Sequence, residues 1–384
     1  MIYKNARIFI DGDRVLENGF VLVEDGLIKD VGVINNKYEK KYNNFECVDL
    51  TNFSIYPGFI DAHTHIGMWE TGLGFEGADG NEETDPITPQ LRAIDAVNPS
   101  DVAFNNALKA GVTTVLTGPG SSNPIGGSFI ALKTFGSCVD DMVIKNPVGI
   151  KFSLGENPKS TYNDKDMMPT TRMATAALIR ENLEKARRYR EKLGSQDEPD
   201  FDFKCESIIP LLERKVKAFF HCHRTDDIFT AIRLSKEFGL DFVLVHASQG
   251  HLIAKYLKGV DVVAGPIITD ISKPELEHSK EYNACVLSSY GARVAICTDA
   301  PVLPIQYLNL SCALAIKNGL ERGLAINAIT KNAAKVCGIY NLVGSIETNK
   351  LANFVVFKRD EDIFSPYVCP SFVILDGEVV YRKI

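Results

Sequence analysis

No run of about eighteen uncharged apolar residues occurs in the 384-residue chain, so no membrane-spanning helix is expected. The opening residues Met1-Ile2-Tyr3-Lys4-Asn5 lack a long apolar core followed by small residues, and read as mature sequence rather than a signal peptide. No Cys-x-x-Cys pair is present. The nine cysteines stand singly, at Cys47, Cys138, Cys205, Cys222, Cys285, Cys297, Cys312, Cys337 and Cys369. That odd, dispersed set fits a reducing cytoplasm, with most of them acting as small buried apolar side chains. Excess positive charge is also missing. The formal net charge is −7, which leaves no electrostatic footprint for nucleic acid or an anionic membrane. Neither internal repeats nor low-complexity tracts are found. Hydrophobic residues at 45% and charged residues at 24% describe an ordinary folded protein.

The two ends are alike and differ from the middle. Residues 1–52 read as short strands and hairpins, with Asp25-Gly26 as a turn between β-rich runs. Near the C-terminus Phe354-Val355-Val356-Phe357 reads as a strand, and Asp376-Gly377 turns another hairpin. Between them, apolar β-branched runs at 58–62, 112–117, 128–133, 148–154, 216–221, 242–246, 260–264 and 293–298 alternate with helical patterns. Helices are expected over 174–193, ending at Gly194, and over 226–238, between Thr225 and Gly239. The spacing predicts an α/β fold: a (β/α)₈ TIM barrel over 53–342, with a small β-sandwich domain assembled from 1–52 and 343–384.

The chemistry is concentrated in Pro57-Gly58-Phe59-Ile60-Asp61-Ala62-His63-Thr64-His65. Two histidines two apart at a strand end point to one side, where a single cation can be gripped by both. The chain has seven histidines, and most fall at expected strand ends. Phe220-His221-Cys222-His223-Arg224 closes the fifth strand, Val245-His246 the sixth, and Thr298-Asp299 the eighth. In a parallel barrel those ends meet at one mouth. Each alone could be a hydrogen-bonded loop residue; their joint placement points to a divalent ion such as zinc.

These motifs resemble the amidohydrolase superfamily, in its imidazolonepropionase-like and prolidase-like branch. Ala110-Gly111-Val112-Thr113-Thr114-Val115 and 343–353 extend the resemblance over nearly the whole chain. In that last stretch Asn349 and Asn353 replace a glycine and an aspartate usual in the family. The resemblance implies a metal-dependent hydrolase of C–N bonds with one or two divalent ions. It implies that His63 and His65 bind the more buried ion, and that His221 and His246 bind a second or orient substrate. Asp299 would contact metal and water as general base and proton donor, with His246 as a donor to the oxyanion. Lys151 stands where relatives carry a carboxylated lysine, with Glu156 as the alternative carboxylate.

A small-molecule substrate is expected, with no nucleic-acid or membrane partner; a homo-oligomer is left open. His223 and Arg224 are candidates for substrate binding, Arg224 for a carboxylate, and Arg172 is a second such candidate. Either arginine could equally serve a salt bridge to Asp226, Asp227 or a surface acid. The glycine-rich stretch 118–127 lacks the Gly-Lys-Ser/Thr ending of a phosphate loop. The acidic stretch 69–98, just after the histidine motif, could be a lid or a solvated loop. A deaminase is the alternative activity, although His221 and His223 are not followed three residues later by glutamate. A lactone or ester hydrolase of the same fold is another, and a silent scaffold a third.

Overall fold

The computed structural model describes residues 1–42 and 45–383. The chain opens with strands β1 (Ile2–Phe9), β2 (Val15–Glu24), β3 (Leu27–Val33), β4 (Cys47–Asp49) and β5 (Phe53–Pro57). The middle supplies β6 (Phe59–Thr64), β7 (Val112–Thr117), β8 (Ile125–Lys133), β9 (Val143–Ser153), β10 (Lys217–Cys222), β11 (Phe242–His246), β12 (Asp261–Ala264) and β13 (Arg293–Ile296). The end adds β14 (Phe354–Lys358), β15 (Phe372–Leu375) and β16 (Glu378–Arg382).

Both chain ends build one sheet, in the order β16-β15-β14-β5-β1-β2-β3, with β4 beside β1. The two Asp-Gly turns form as expected. Asp25 and Gly26 have φ of +50° and +73°, Asp376 and Gly377 +49° and +83°, the all-positive pattern of a tight hairpin turn. A Cβ on Gly377 would lie 2.6 Å from Val23, and one on Gly26 3.3 Å from the Asp376 carbonyl oxygen. The two hairpin turns therefore pack against each other.

The second sheet runs β6 to β13 in sequence order and is nearly closed. Its ends approach where the Asp299 N–H donates to the His63 carbonyl (3.2 Å) and the His65 N–H to the Ala300 carbonyl (2.7 Å). Ile60, Leu116, Phe129, Phe219, Val243 and Cys297 fill the interior. One expectation is corrected. The barrel is not all parallel, because β8 runs antiparallel to both β7 and β9. Only residues 118–124 separate β7 from β8, too few for the crossover of a dozen or more residues that parallel neighbours need. The long helix runs Arg172–Lys192, with the Thr171 hydroxyl accepting from the Ala174 N–H. The next runs Thr225–Phe238, so Thr225 is its first residue rather than its cap, and Gly239 ends it at φ +67°.

The stretch 343–353 ties the sheets together. Ile28 donates to the Lys350 carbonyl (2.9 Å), Ala352 to Gly26 (2.8 Å) and Gly58 to Asn353 (3.0 Å). Asn349 has φ +68°, which explains the family's glycine there: asparagine is among the few other residues that tolerate this conformation. Beside it lies a polar clamp. The fully buried Asp11 accepts from Arg14 (2.7 Å) and Lys331 (3.2 Å), and Arg14 also holds Glu347 (2.8 Å). Burial resists ionisation of Glu347, but Ser345, Arg14 and Lys350 pull its carboxyl down to about 2. A depressed folded pKa stabilises above the unfolded value of about 4.3 and loses that share as pH falls toward 2. Glu347→Gln is expected to lower Tm by ~1–2 °C at pH 7. It should also flatten the acid side of a Tm-versus-pH series between about pH 5 and 2; an unchanged slope would count against the clamp.

Candidate metal-binding active site

His63 lies in the last turn of pleat on β6 and His65 just past it, so both rings face the barrel mouth, with centroids 4.9 Å apart. Asp299 follows β13 and reaches between them. Its Oδ1 is 3.4 Å from His63 Nε2 and 3.3 Å from His65 Nε2, and its Oδ2 is 4.0 Å from His246 Nε2. Lys151 on β9 is fully buried, with Nζ 3.2 Å from His63 Nε2. His221 and His223 leave β10 on the same side. The His221 ring is 4.6 Å from that of His246, and His223 stacks on His246 at 4.9 Å.

Two sets of donor atoms each fit within 4.8 Å: His63, His246 and Asp299, and His221, His223 and His246. Among the described residues, His63 Nδ1, His223 Nε2 and Asp299 Oδ1 are buried without a hydrogen-bond partner. Such orphans are costly unless something outside the chain satisfies them, and this donor chemistry suits a divalent ion. The backbone also sets two tautomers. His65 Nδ1 donates to the Gly118 carbonyl (2.7 Å) and His246 Nδ1 to the Gly265 carbonyl (2.6 Å). A carbonyl only accepts, so both rings carry the proton on Nδ1 and present a bare Nε2.

Burial lowers the pKa of His63, His221 and His223 well below the ordinary value, and that of His246 to about 4. Neutral imidazoles leave lone pairs for a cation. Burial opposes ionisation of Asp299, yet His246, His65 and Lys151 together hold its carboxyl below the usual range. Burial pushes the Lys151 ammonium down to about 8, against the pull of Asp299. Behind the site, burial raises fully enclosed Asp61 to about 7, although it accepts from the Thr298 hydroxyl (2.6 Å) and the His63 N–H (3.3 Å). It fixes both strand ends at once. His246, Ala247 and Asp299 have φ of +69°, +43° and +56°, left-handed conformations that cost about 1–3 kcal/mol each and gather at functional sites.

Above this floor opens a cavity of about 440 Å³, whose walls include Trp69, Ser121, Asn157, His223, Lys273 and Val302. Trp69 packs on His65 with centroids 4.9 Å apart. It is wedged between Gly80 and Gly120, where a Cβ would come within 1.9 and 2.6 Å of its ring. The acidic stretch after the histidine motif is tied down rather than free. Glu83 holds Ser122 and Lys165 (2.9 Å each), and Asp85 pairs with Lys204.

Side chains from five strands thus meet in one buried cluster at the barrel mouth. The chain belongs to the amidohydrolase family, hydrolases that act on carbon–nitrogen bonds. A solved amidohydrolase from Thermotoga maritima MSB8 is 36% identical with all of both chains covered, at a TM-score of 0.93. The model of the Amidohydrolase family matches residues 213–380. Amidohydrolase tasK of Hapsidospora irregularis is 27% identical over 94% of this chain, which spans only 39% of that protein. An imidazolonepropionase of Clostridium tetani is 24% identical over 96% of this chain and 92% of its own length. Among the described residues no helix is long and apolar enough to cross a membrane.

The structure brings together His63, His65, Lys151, His221, His223, His246 and Asp299. It does not bring in Glu156, which opens the helix Glu156–Asn163 and is absent from the cavity wall. The strand places Lys151 inward, whereas Glu156 opens the following helix and it is its neighbour Asn157 that lines the cavity. Nor does Arg224 reach the cavity: it is exposed and grips Asp226 with two bonds of 3.0 Å. Arg172 is held by Asp227 (3.1 Å) and Glu275 (3.2 Å). His251 packs on Tyr282 outside the cavity, and His278 is exposed. Asn157 and Lys273 escaped sequence reading, and Trp69 entered it only as the first residue of the acidic stretch 69–98.

Proposed function

We propose that this chain is a metal-dependent amidohydrolase that cleaves an amide or cyclic-amide C–N bond in a small-molecule or dipeptide-like substrate. One observation carries the reading: imidazoles and a carboxylate from separate strands converge in one buried cluster, where among the described residues Asp299 Oδ1 lacks a hydrogen-bond partner. Imidazole nitrogens with carboxylate oxygens suit zinc or another borderline divalent ion, one or two of them. A bound ion supplies Lewis acidity, polarising the substrate carbonyl and making water more acidic.

His63 and His65 would hold one ion with Asp299, and His221 and His246 a second. The partly neutral Lys151 amine can add to carbon dioxide: an N–C bond forms, a proton leaves to solvent, and the side chain becomes an anion with two oxygens. Asp299 takes a proton from the attacking water and returns it to the leaving nitrogen. His246 is reassigned from oxyanion donor to ligand, since its proton is committed to the Gly265 carbonyl. His223 is better suited to donate, because its Nδ1 faces the Ser248 hydroxyl (2.8 Å), which can itself donate and leave Nε2–H for the oxyanion.

Asp299 is the sole acid among the described cavity-lining residues. This favours hydrolysis over deamination through a separate glutamate. We also assign 53–342 to the barrel and 1–52 with 343–384 to a small β-sandwich, a division supported by the contact between the two hairpin turns.

Elemental analysis of the purified protein, with a screen of N-acyl amino acids, dipeptides and cyclic amides, tests the reading. One or two equivalents of a divalent metal are expected. Chelation should take C–N hydrolysis to background, and zinc should restore it. A metal-loaded protein active on esters or lactones alone would sink the C–N assignment.

A further inference from the structure

A pocket that cleaves small amides must also hold the rest of the substrate. Two basic side chains nearby are spent outside it. Arg224 is tied to Asp226, and Arg172 to Asp227 and Glu275. Neither belongs to the cavity wall, but Lys273 does. Lys273 follows β12 and caps the short turn Pro274–Leu276. The proline after it confines its backbone to the extended region, and it is extended, at φ −152°.

Behind the wall, Glu275 is clamped. It accepts from the Glu156 N–H and from Arg172 Nη2, and Gly155 makes way for it, since a Cβ there would lie 2.3 Å from Oε1. The Lys273 ammonium pairs with Glu275 Oε2 across 3.7 Å, a salt bridge too long for a direct hydrogen bond. It donates a hydrogen bond to Asn157 Oδ1 (2.9 Å). An ammonium has three N–H donors. Its remaining donors stand at the cavity wall, with a side chain 22% exposed. Asn157 is itself placed by Ser121 Oγ (2.6 Å) and lies 3.4 Å from His221 Nε2. One amide group thus separates the ammonium from the histidine cluster. Trp69 forms an apolar wall elsewhere in the cavity.

We propose that Lys273 is the specificity-determining residue that receives a carboxylate on the substrate, so that the preferred substrates are acidic amides such as N-acyl amino acids, dipeptides or cyclic amide acids. The assignment rests on the hydrolase reading for the bond cleaved, but carboxylate binding is separable from it. An ammonium–carboxylate pair in a partly desolvated wall is a charge-assisted hydrogen bond, worth roughly a ten- to hundred-fold gain in affinity.

The experiment is calorimetric titration of the metal-loaded protein with N-acetyl-L-phenylalanine and with its carboxamide, which has the same shape without the charge. Wild type is expected to bind the acid at least about ten-fold more tightly. Lys273→Met should erase that difference while leaving the carboxamide within about two-fold, and Lys273→Arg should keep most of it. Lys273→Gln, which preserves a donor to Asn157, guards against a folding defect and should behave as the Met variant does. Equal binding of acid and amide by wild type, or no binding of either, overturns the proposal. So does an acid preference that survives in Lys273→Met, which would place the carboxylate on the metal. If the acid binds through Lys273 and no C–N substrate is cleaved, the hydrolase reading falls and the carboxylate site stands.

Discussion

Asp299→Asn is expected to lower kcat/KM on any C–N substrate by roughly 10³–10⁴-fold, with the fold intact. The side chain fits the same space, so the loss isolates charge and basicity. Asp299 Oδ1 sits within 3.4 Å of two imidazole nitrogens and, among the described residues, has no hydrogen-bond partner. Its oxygen is therefore available to a cation and to water. An asparagine at that point keeps one oxygen as a weak ligand but cannot accept the proton of water. The expected signature is a large fall in kcat with metal content reduced by less than activity, measured by elemental analysis beside steady-state kinetics. Circular dichroism should match wild type. A variant retaining more than a tenth of wild-type kcat with full metal would remove Asp299 from the proton-transfer step.

Lys151→Met is expected to separate stability from activity. Activity should fall by at least about 10²-fold, and the second metal equivalent should be lost. The metal-free protein, however, should melt at the same temperature or a few degrees higher. The reason is burial. Lys151 is fully enclosed against His63 and lies 5.6 Å over the Phe129 ring, and an enclosed ammonium costs free energy that a methionine of similar volume avoids. If the side chain works as a carbamate, Lys151→Ala with added short carboxylic acids should regain part of its metal and activity. A Lys151→Met protein with wild-type turnover would exclude the lysine from the site.

The convergence of side chains at the mouth was legible where one residue type and one strand end suffice. His63, His65, His221, His246 and Asp299 were legible because histidine is rare here and each lies at the end of an apolar run. Lys151 was visible only through family resemblance, since a lysine in a strand carries no mark of its orientation. The antiparallel β8 was missed because apolar strand residues look the same in either direction; the short spacer 118–124 was the available clue. Arg224 could be read either as a carboxylate site or as the partner of a nearby acid. The residue two positions further, Asp226, decides where its guanidinium goes. Lys273 was overlooked because Ser272-Lys273-Pro274 reads as a solvated turn, and only the packing of Glu275 behind it brings the lysine to the cavity wall.

The reversed third strand has a bearing on how this pocket could change. In an all-parallel barrel every strand end offers the mouth a side chain that mutation can swap. Here that slot is filled by the start of β8, where Gly126 approaches Lys151 so closely that a Cβ would lie 3.3 Å from the Lys151 Cβ. Main chain occupies the position, and point substitution has little purchase there. Drift toward new substrates would then be channelled into the loops after β6, β9 and β12, which carry Trp69, Asn157 and Lys273, while the flank along β8 stays the same across successive specificities.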